Sequence, residues 1–297
     1  MTRMSTVLPT RSALMVSLAR AIGAREPNVR YRNPDSLAGK FFGPEELGLM
    51  AGLPILEQWE RGSAPPATEN RATLLHLLRA RWCDDELLAA VDAGAKQVVI
   101  LGAGLDTRLY RFAGRLDGVR CFEVDLPGTQ EYKKRKIKEI LGRLPESVTY
   151  APIDFTRQAL SGVLAEAGWK SSEPTFFLWE GVSPYLDEAS VDGVLRLVAS
   201  GAKGSRICFD YLEPRVVNGE HRDEFWKGYV RLLESWGEKF TFAIDDLLIG
   251  GFVRARDLRL RSDVNFGEIA ARYFPEVSLA DLGVGRSGYH VCTAEVG

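Results

Sequence analysis

Residues 97–108 read QVVILGAGLDTR, and this stretch decides the fold. QVVIL is a short run of β-branched and aliphatic side chains without polar alternation, as expected for a strand buried on both faces. GAGLDT follows it at once. Gly102 and Gly104 after a strand let the backbone approach a ligand closely and let the next helix start tightly. RLYRFAG then reads as helix.

The same alternation continues outward. VRCFEVD (119–125), VTYAPID (148–154), TFFLWEG (175–181) and SRICFDYL (205–212) read as strands. Between them lie the helical segments TQEYKKRKIKEILGRL, opened by Thr129, then QALSGVLAEAG and EASVDGVLRLVASGA. Strands alternating with helices of about 10–15 residues predict an α/β doubly wound sheet with helices on both faces and right-handed crossovers. Beyond residue 215 the pattern is less regular. RDEFWKGYVRLLESWG reads as helix, GFVRARDLRL as strand, NFGEIAARYF as helix and SGYHVCTAEV as a last strand.

Before Lys96 the chain reads as helical. Thr10 caps a helix reaching about Ala24, with Leu14, Leu18 and Ile22 on one face. YRNPDSLAGKFFGPEELGLMAGL gives two short helices broken at Pro34 and Gly43-Pro44. After GSAPPATEN, a long amphipathic helix runs from about Arg71 to Val91 and ends at Gly94. The expected organisation is a helical cover over residues 1–95 and a sheet domain over 96–297, together one structural unit.

Of the 297 residues, 45% are hydrophobic and 26% charged, which is ordinary for a soluble domain with a large core. A net charge of −2 gives no reason to expect a nucleic-acid partner. No uncharged apolar stretch reaches the roughly 18 residues of a membrane span. The apolar start is broken by Arg20 and reads as helix, not as a signal peptide. Cys83, Cys121, Cys208 and Cys292 form no C-x-x-C pair, and three lie in apolar strand-like runs. Buried reduced thiols and a cytoplasmic setting are expected. The three histidines are scattered, so no metal site is expected.

Ligands of such sheets bind beyond the carboxyl ends of the strands. The residues there are Gly102, Ala103 and Gly104 through Asp106, then Asp125, Asp154, Glu180 and Tyr211. Asp125 lies 21 residues after Gly104, where a carboxylate can accept from a ribose diol. Glu123, on the same strand face, ranks second. A dinucleotide loop wants G-x-G-x-x-G/A, but here Thr107 takes the third position behind Asp106. A carboxylate there repels a pyrophosphate. S-adenosylmethionine carries no phosphate but a sulfonium and an ammonium, so a rim of Asp106, Asp125, Asp154 and Glu180 suits it by sign. Asp154 and Phe155 can hold an adenine, although Asp154 can equally cap the following helix. Glu180 ends so apolar a strand that a cation is expected to meet it. Arg81, on the long helix, can clamp the methionine carboxylate or lie on a solvated face. The KKRK run at 133–136 reads as the wet face of a helix.

QVVILGAGLDTRLYRF, FEVDLPGTQEYKK and WEGVSPYL resemble the leucine carboxyl methyltransferase family, and most of all its bacterial branch of O-methyltransferases associated with polyketide and other secondary metabolism. RARWCDDELLAAVDAGAKQ and the opening RSALMVSLARAIGAREPNVRYRNPDSLAGKF are also similar, with Asn33 where an acid is more usual. The resemblance runs from about residue 11 to 190. It is specific in LGAGLDTR and EVDLP, and weak after 215. It implies a class I methyltransferase fold with a seven-stranded sheet whose last strand is antiparallel. It also implies that Arg81 binds the methionyl carboxylate, Gly102 the amino-acid end, Asp125 the ribose, and Asp154 with Phe155 the adenine. Glu180 would lie near the methionyl amine.

The expected activity is S-adenosylmethionine-dependent methyl transfer to an oxygen of a small molecule. An ionised carboxylate acceptor needs no base, whereas a hydroxyl usually does. His221 is the candidate base for a hydroxyl, beside Tyr211 and Tyr185 as pocket-shaping residues, and it can also be a surface loop residue. His76 and His290 read as core. Trp59, Trp82, Phe225, Trp226 and Tyr229 line an acceptor pocket or fill the core. The alternatives are an NAD(P)-dependent oxidoreductase and a non-catalytic S-adenosylmethionine-binding protein.

Overall fold

The computed structural model describes residues 8–154, 157–277 and 288–297. The elements run α1 (Arg11–Gly23), α2 (Pro44–Leu49), α3 (Pro54–Glu60), α4 (Arg71–Asp92), β1 (Gln97–Leu101), α5 (Arg108–Arg111), β2 (Arg120–Asp125) and α6 (Pro127–Leu141). They continue with β3 (Val148–Pro152), α7 (Leu160–Glu166), β4 (Thr175–Trp179), α8 (Glu188–Ala199), β5 (Arg206–Leu212), α9 (Pro214–Val217) and α10 (Glu224–Ser235). The last are α11 (Ile249–Arg254), β6 (Leu258–Asn265), α12 (Phe266–Tyr273) and β7 (Tyr289–Val296).

All seven strands join one sheet in the order β3-β2-β1-β4-β5-β7-β6. β1 through β5 pair in parallel. β7 enters between β5 and β6 and runs antiparallel to both. This is the seven-stranded doubly wound arrangement with an antiparallel last strand that the sequence led us to expect.

The apolar strands are explained by burial on both faces. Along β1, Val98 and Ile100 join one core cluster while Val99 and Leu101 join the other. Phe176 and Leu178 of β4 likewise oppose Phe177 and Trp179. Removing each such side chain from water contributes about 1.5–3 kcal/mol before entropy is counted. The first cluster lies between the sheet and the helical cover, where α1 packs on α4.

Local signals account for most boundaries. Thr10 caps α1 by accepting from Ala13 N, and Asn70 caps α4 by accepting from Thr73 N. α6 starts earlier than expected, at Pro127 and not Thr129, because proline at the first helical position has its φ preset and lacks only an N–H that would be unbonded there. GFVRARDLRL is not one strand. α11 ends at Arg254, Asp257 turns the chain in the left-handed region at φ 61°, and β6 begins at Leu258.

α4 matters most for the site, because it crosses the sheet beyond the strand ends with His76, Arg79 and Asp84 buried. Burial and the nearby Arg79 push the His76 imidazole down to about 3. In the unfolded chain an imidazole titrates near about 6.5. Between those values the unfolded state takes up a proton that the native state refuses, so stability falls as pH drops through that window. His76→Gln is expected to flatten this acid limb between roughly pH 6.5 and 4. Urea denaturation at stepped pH reads it, and parallel curves for the two proteins would show that His76 protonates in the native state.

The turn after β1 makes a second demand. Gly102 holds φ +63°, and a Cβ there would lie 2.5 Å from Val182 Cγ2, whereas Gly52, at φ +86°, faces open space. Gly102→Ala is therefore expected to cost about 2–3 kcal/mol and Gly52→Ala about 1 kcal/mol by chemical denaturation. Equal costs would mean that the contact with Val182 relaxes freely.

Candidate functional site

The loop after β1 is tied to the end of β2 by its own hydrogen bonds. Ala103 N donates to Val124 O at 3.0 Å. Gly104 N donates to Asp125 Oδ2 at 2.6 Å, and Leu126 N donates to Asp125 Oδ1 at 2.7 Å. Burial raises the Asp125 carboxyl, and these two amides partly offset that. Each carboxylate oxygen keeps a further lone pair for a ligand. The carboxylate thus stands where a ribose diol would be received.

Beneath the loop, Glu123 is buried and paired with Lys133 Nζ at 2.7 Å. The same ammonium donates to Ala103 O at 3.2 Å. Burial still lifts Glu123 to about 7. This second-ranked acid supports the loop from below and does not face a ligand from above.

Two amides at the glycine loop are given to carboxylates and are not offered to a diphosphate. Gly104 N is already given to Asp125, and Arg108 N, at the start of α5, donates to Asp106 Oδ1 at 2.7 Å. Dinucleotide loops direct such N–H groups at phosphate oxygens. Here carboxylates occupy them.

The acid rim differs from the expected one in an important respect. Two arginines neutralise most of it. Glu180 receives Arg79 Nε at 2.9 Å and Arg108 Nη1 at 2.7 Å. Arg108 also pairs with Asp106, and its Nε reaches Asp84 at 2.6 Å. Arg79 Nη1 binds Asp210 at 3.0 Å and also Tyr289 Oη. Asp210 in turn accepts from Gly181 N at 2.7 Å. Burial opposes ionisation of Glu180 and Asp106, but the guanidiniums prevail, holding Glu180 below the usual carboxylate range and Asp106 at about 2. For Asp210 burial prevails and the carboxyl is raised. Carboxylates this buried stay ionised only when paired, so the rim is no reservoir of unmatched negative charge. Asp125, held by amides alone among these acids, is the exception.

Arg81 does not reach the strand ends. Its Nη1 donates to Arg30 O at 3.1 Å, and its guanidinium lies over the Tyr273 ring. Two residues along a helix rotate a side chain by about 200°, so Arg79 faces the sheet while Arg81 faces away. Arg79 lies against Gly181, where an added Cβ would meet its Nη2 at 3.2 Å.

Asp154 is more open than the other acids. Its side chain is 37% exposed and lies 3.5 Å from Arg157 Nε. Its backbone carbonyl accepts from Arg157 N and Gln158 N, and the N-cap of α7 is Ala159, so Asp154 does not cap that helix. Phe155 lies outside the described residues. Tyr211 is not a strand-end residue, because β5 continues through Leu212. Side chains alternate along a strand, so Asp210 takes the site face and Tyr211 the other. There Tyr211 donates to Asp263 and stacks on His290 at 5.0 Å. Tyr185 packs on Phe240, and burial raises its phenol.

His221 is buried beside Trp226, with ring centroids 6.2 Å apart, and its Nδ1 accepts from Asp223 N. It lines an outer groove of about 440 Å³ between α9 and α10. A small inner void of about 10 Å³, barely room for one water molecule, also touches Trp226, and His76, Arg79, Tyr229 and Tyr289 help to line it. His221 and Tyr185 do not line this inner cavity. Glu213, Asp246 and His290 bring ligand atoms within 4.8 Å of one another, but both His290 nitrogens are engaged, by Glu213 and Asp263. Cys83 and Cys208 meet at 3.9 Å, and all four cysteines are buried and free.

The fold and the sequence have clear relatives. Two solved structures share the fold. A duf574 family protein from Streptomyces avermitilis MA-4680 aligns with a TM-score of 0.61 at 12% identity, over 97% of this chain and 98% of that one. A structure titled "putative methyltransferase", from Thermobifida fusca YX, aligns at 0.56 and 16%, over 97% and 95%. The architecture is that of class I methyltransferases. In sequence, the Bacillus subtilis (strain 168) protein named "Putative S-adenosyl-L-methionine-dependent methyltransferase YktD" is 34% identical over 163 residues, 54% of this chain and 53% of that protein. The match thus spans about half the length of that relative. Residues 13–199 match the family described as Leucine carboxyl methyltransferase. That match covers more than half of the chain, which belongs to the leucine carboxyl methyltransferase family.

Proposed function

We propose that this protein is an S-adenosylmethionine-dependent methyltransferase that delivers the methyl group to an oxygen of a small molecule. The observation that carries the reading is the carboxylate-filled glycine loop. Asp125 closes on Gly104 N and Asp106 on Arg108 N, so two amides that a diphosphate would need are taken, while Asp125 keeps acceptor lone pairs for a ribose. Membership of the family supports the same cofactor.

S-adenosylmethionine supplies an activated methyl on a sulfonium. The chain's own residues bind and orient. Asp125 accepts from the ribose hydroxyls, and Gly102, Ala103 and Gly104 allow close approach of the methionyl end. In this reading the carboxylate role that the resemblance gave to Arg81 falls to Arg79, whose Nη2 lies against Gly181. Asp154, beside the end of β3, stands on the adenine side. Alignment in a dry site supplies most of what an in-line displacement needs.

The acceptor is a small molecule, for which the groove between α9 and α10 offers space. A secondary metabolite suits the family's bacterial branch. The near-neutral net charge of −2 supports no nucleic-acid partner. No described helix is long and apolar enough to cross a membrane. Four buried free cysteines support a reducing, cytoplasmic setting.

Isothermal titration with S-adenosylhomocysteine, NAD and NADP tests the cofactor. Binding of the homocysteine compound alone is expected, and binding of NAD alone overturns the reading. Asp125→Ala is expected to weaken S-adenosylhomocysteine by about 1–3 kcal/mol, the value of hydrogen bonds to a charged group. An unchanged affinity would remove Asp125 from the site. Arg79→Ala is expected to abolish measurable binding or lower stability sharply, because it leaves Asp210 buried and unpaired. Arg81→Ala is expected to stay within about 0.5 kcal/mol of the parent in both respects. The reverse ranking would restore the role to Arg81.

A further inference from the structure

The groove between α9 and α10 carries two kinds of surface side by side. On α10, Trp226 and Val230 stand four residues apart and so share a face of the helix. Lys227 and Arg231 repeat that spacing one position on, about 100° around the axis. An apolar stripe therefore runs beside a cationic one along a single helix. α9 supplies the facing wall with Val216 and Val217. Val216 and Trp226 are buried in the core, and Val217 and Val230 are partly buried against it, so the floor is fixed. Arg231, Glu234 and Lys239 stand exposed at the rim.

The rim has a sign. Lys227, Arg231 and Lys239 line the groove against one acid, Glu234. Lys227 also holds Glu224 at 2.7 Å. At the head of α10, Arg71 and Asp223 pair with each other and add no net charge. The whole chain carries −2, so a positive surplus at one groove stands apart from the average surface. The groove holds about 440 Å³, a volume usual for small-molecule sites.

An apolar floor beside a basic rim selects a molecule divided in the same way. Its body leaves water against the valines and the Trp226 indole, which supplies most of the affinity. An acid group on the same molecule reaches the rim. Long Lys and Arg stems lie along apolar surface and keep their heads in water, so they can meet that group without being buried. Each such pairing is weak and screened by salt. The floor thus sets how tightly a ligand binds, and the rim sets which charge it carries. A cationic head meets like charge there, and a neutral head gains nothing from it.

The apolar end is the one joined to the strand ends. Trp226 stacks on Tyr289 at 5.9 Å, Tyr289 is hydrogen-bonded to Arg79, and Arg79 reaches Glu180 at 2.9 Å. A ligand with its acid at the rim therefore turns its body toward that chain of contacts.

We propose that the α9–α10 groove binds an amphipathic anion, a small molecule whose apolar body lies on Val216, Val217, Val230 and Trp226 and whose carboxylate meets Lys227, Arg231 and Lys239. This names the class of acceptor for which the groove offers space. For methyl transfer it rests on the S-adenosylmethionine reading above, and for binding it stands alone.

Three probes with one body and different heads test it: octanoate, octanol and octylamine, each titrated calorimetrically into the full chain with and without saturating S-adenosylhomocysteine. Octanoate is expected to bind about fivefold or more tighter than octanol, with octylamine weakest, and high salt is expected to erase most of that gap. Arg231→Gln combined with Lys239→Gln should lower octanoate affinity about fivefold and leave octanol within about twofold. Lys203→Gln, which removes an exposed charge outside the groove, should leave the ranking as it is. Val230→Gln should weaken octanoate and octanol alike, and circular dichroism checks that each variant is folded. Binding of no probe, equal affinity for all three, preference for the amine, or octanoate affinity untouched by the double variant overturns the proposal. A protein that shows the head-group ranking but does not bind S-adenosylhomocysteine keeps the groove assignment and loses the cofactor reading.

Discussion

The site depends on one carboxylate shared by two buried guanidiniums. Glu180 ends a strand of five fully buried residues, and it can be charged there only because Arg79 and Arg108 meet it. Neither arginine comes from β4. Arg79 belongs to α4 and Arg108 to α5, so the ion network fastens the cover helix and the first crossover to the middle of the sheet. Buried ion pairs add little net stability compared with apolar packing, yet removing one partner is costly. Geometry is the better account of their presence. They hold α4 at one height above the strand ends and so fix the distance between the glycine loop and the cavity walls.

That fixed geometry divides the region above the sheet in two. On the β1–β2 side, backbone amides and Asp125 form a short polar ledge, and Arg20 donates to Leu105 O beside it at 2.8 Å. On the β4–β5–β7 side, Arg79 joins Glu180, Asp210 and Tyr289 in a closed set of ion pairs and hydrogen bonds, and aromatic rings begin beyond them. One side presents carboxylate and amide groups and the other aromatic faces.

Much of this was legible in the sequence, and the parts that were not have physical causes. The five parallel strands announce themselves because both faces are covered, which leaves unbroken apolar runs. Gly102, Gly104 and Asp125 were legible because a tight turn and a strand-end acid are local features. The arginine was harder. Leu75, Leu78, Arg79 and Trp82 stand at helical spacing on one buried face of α4, which was the signal that Arg79 and not Arg81 turns inward. The pairing of the rim acids could not be read at all, since Arg79 and Glu180 are separated by 101 residues. Tyr211 was misplaced because side chains alternate along β5, and with Asp210 on the site face Tyr211 faces away from it. The break in GFVRARDLRL depended on Asp257 adopting a left-handed turn, a choice made by the packing of α11 against β6.

Trp226 separates the inner cavity from the outer groove, and it lines both. A single indole therefore closes the inner end of the open groove. The identity of that one side chain sets how deep the groove runs toward α4. Selectivity for molecular length in this scaffold can thus change at one position while the donor-binding ledge stays as it is.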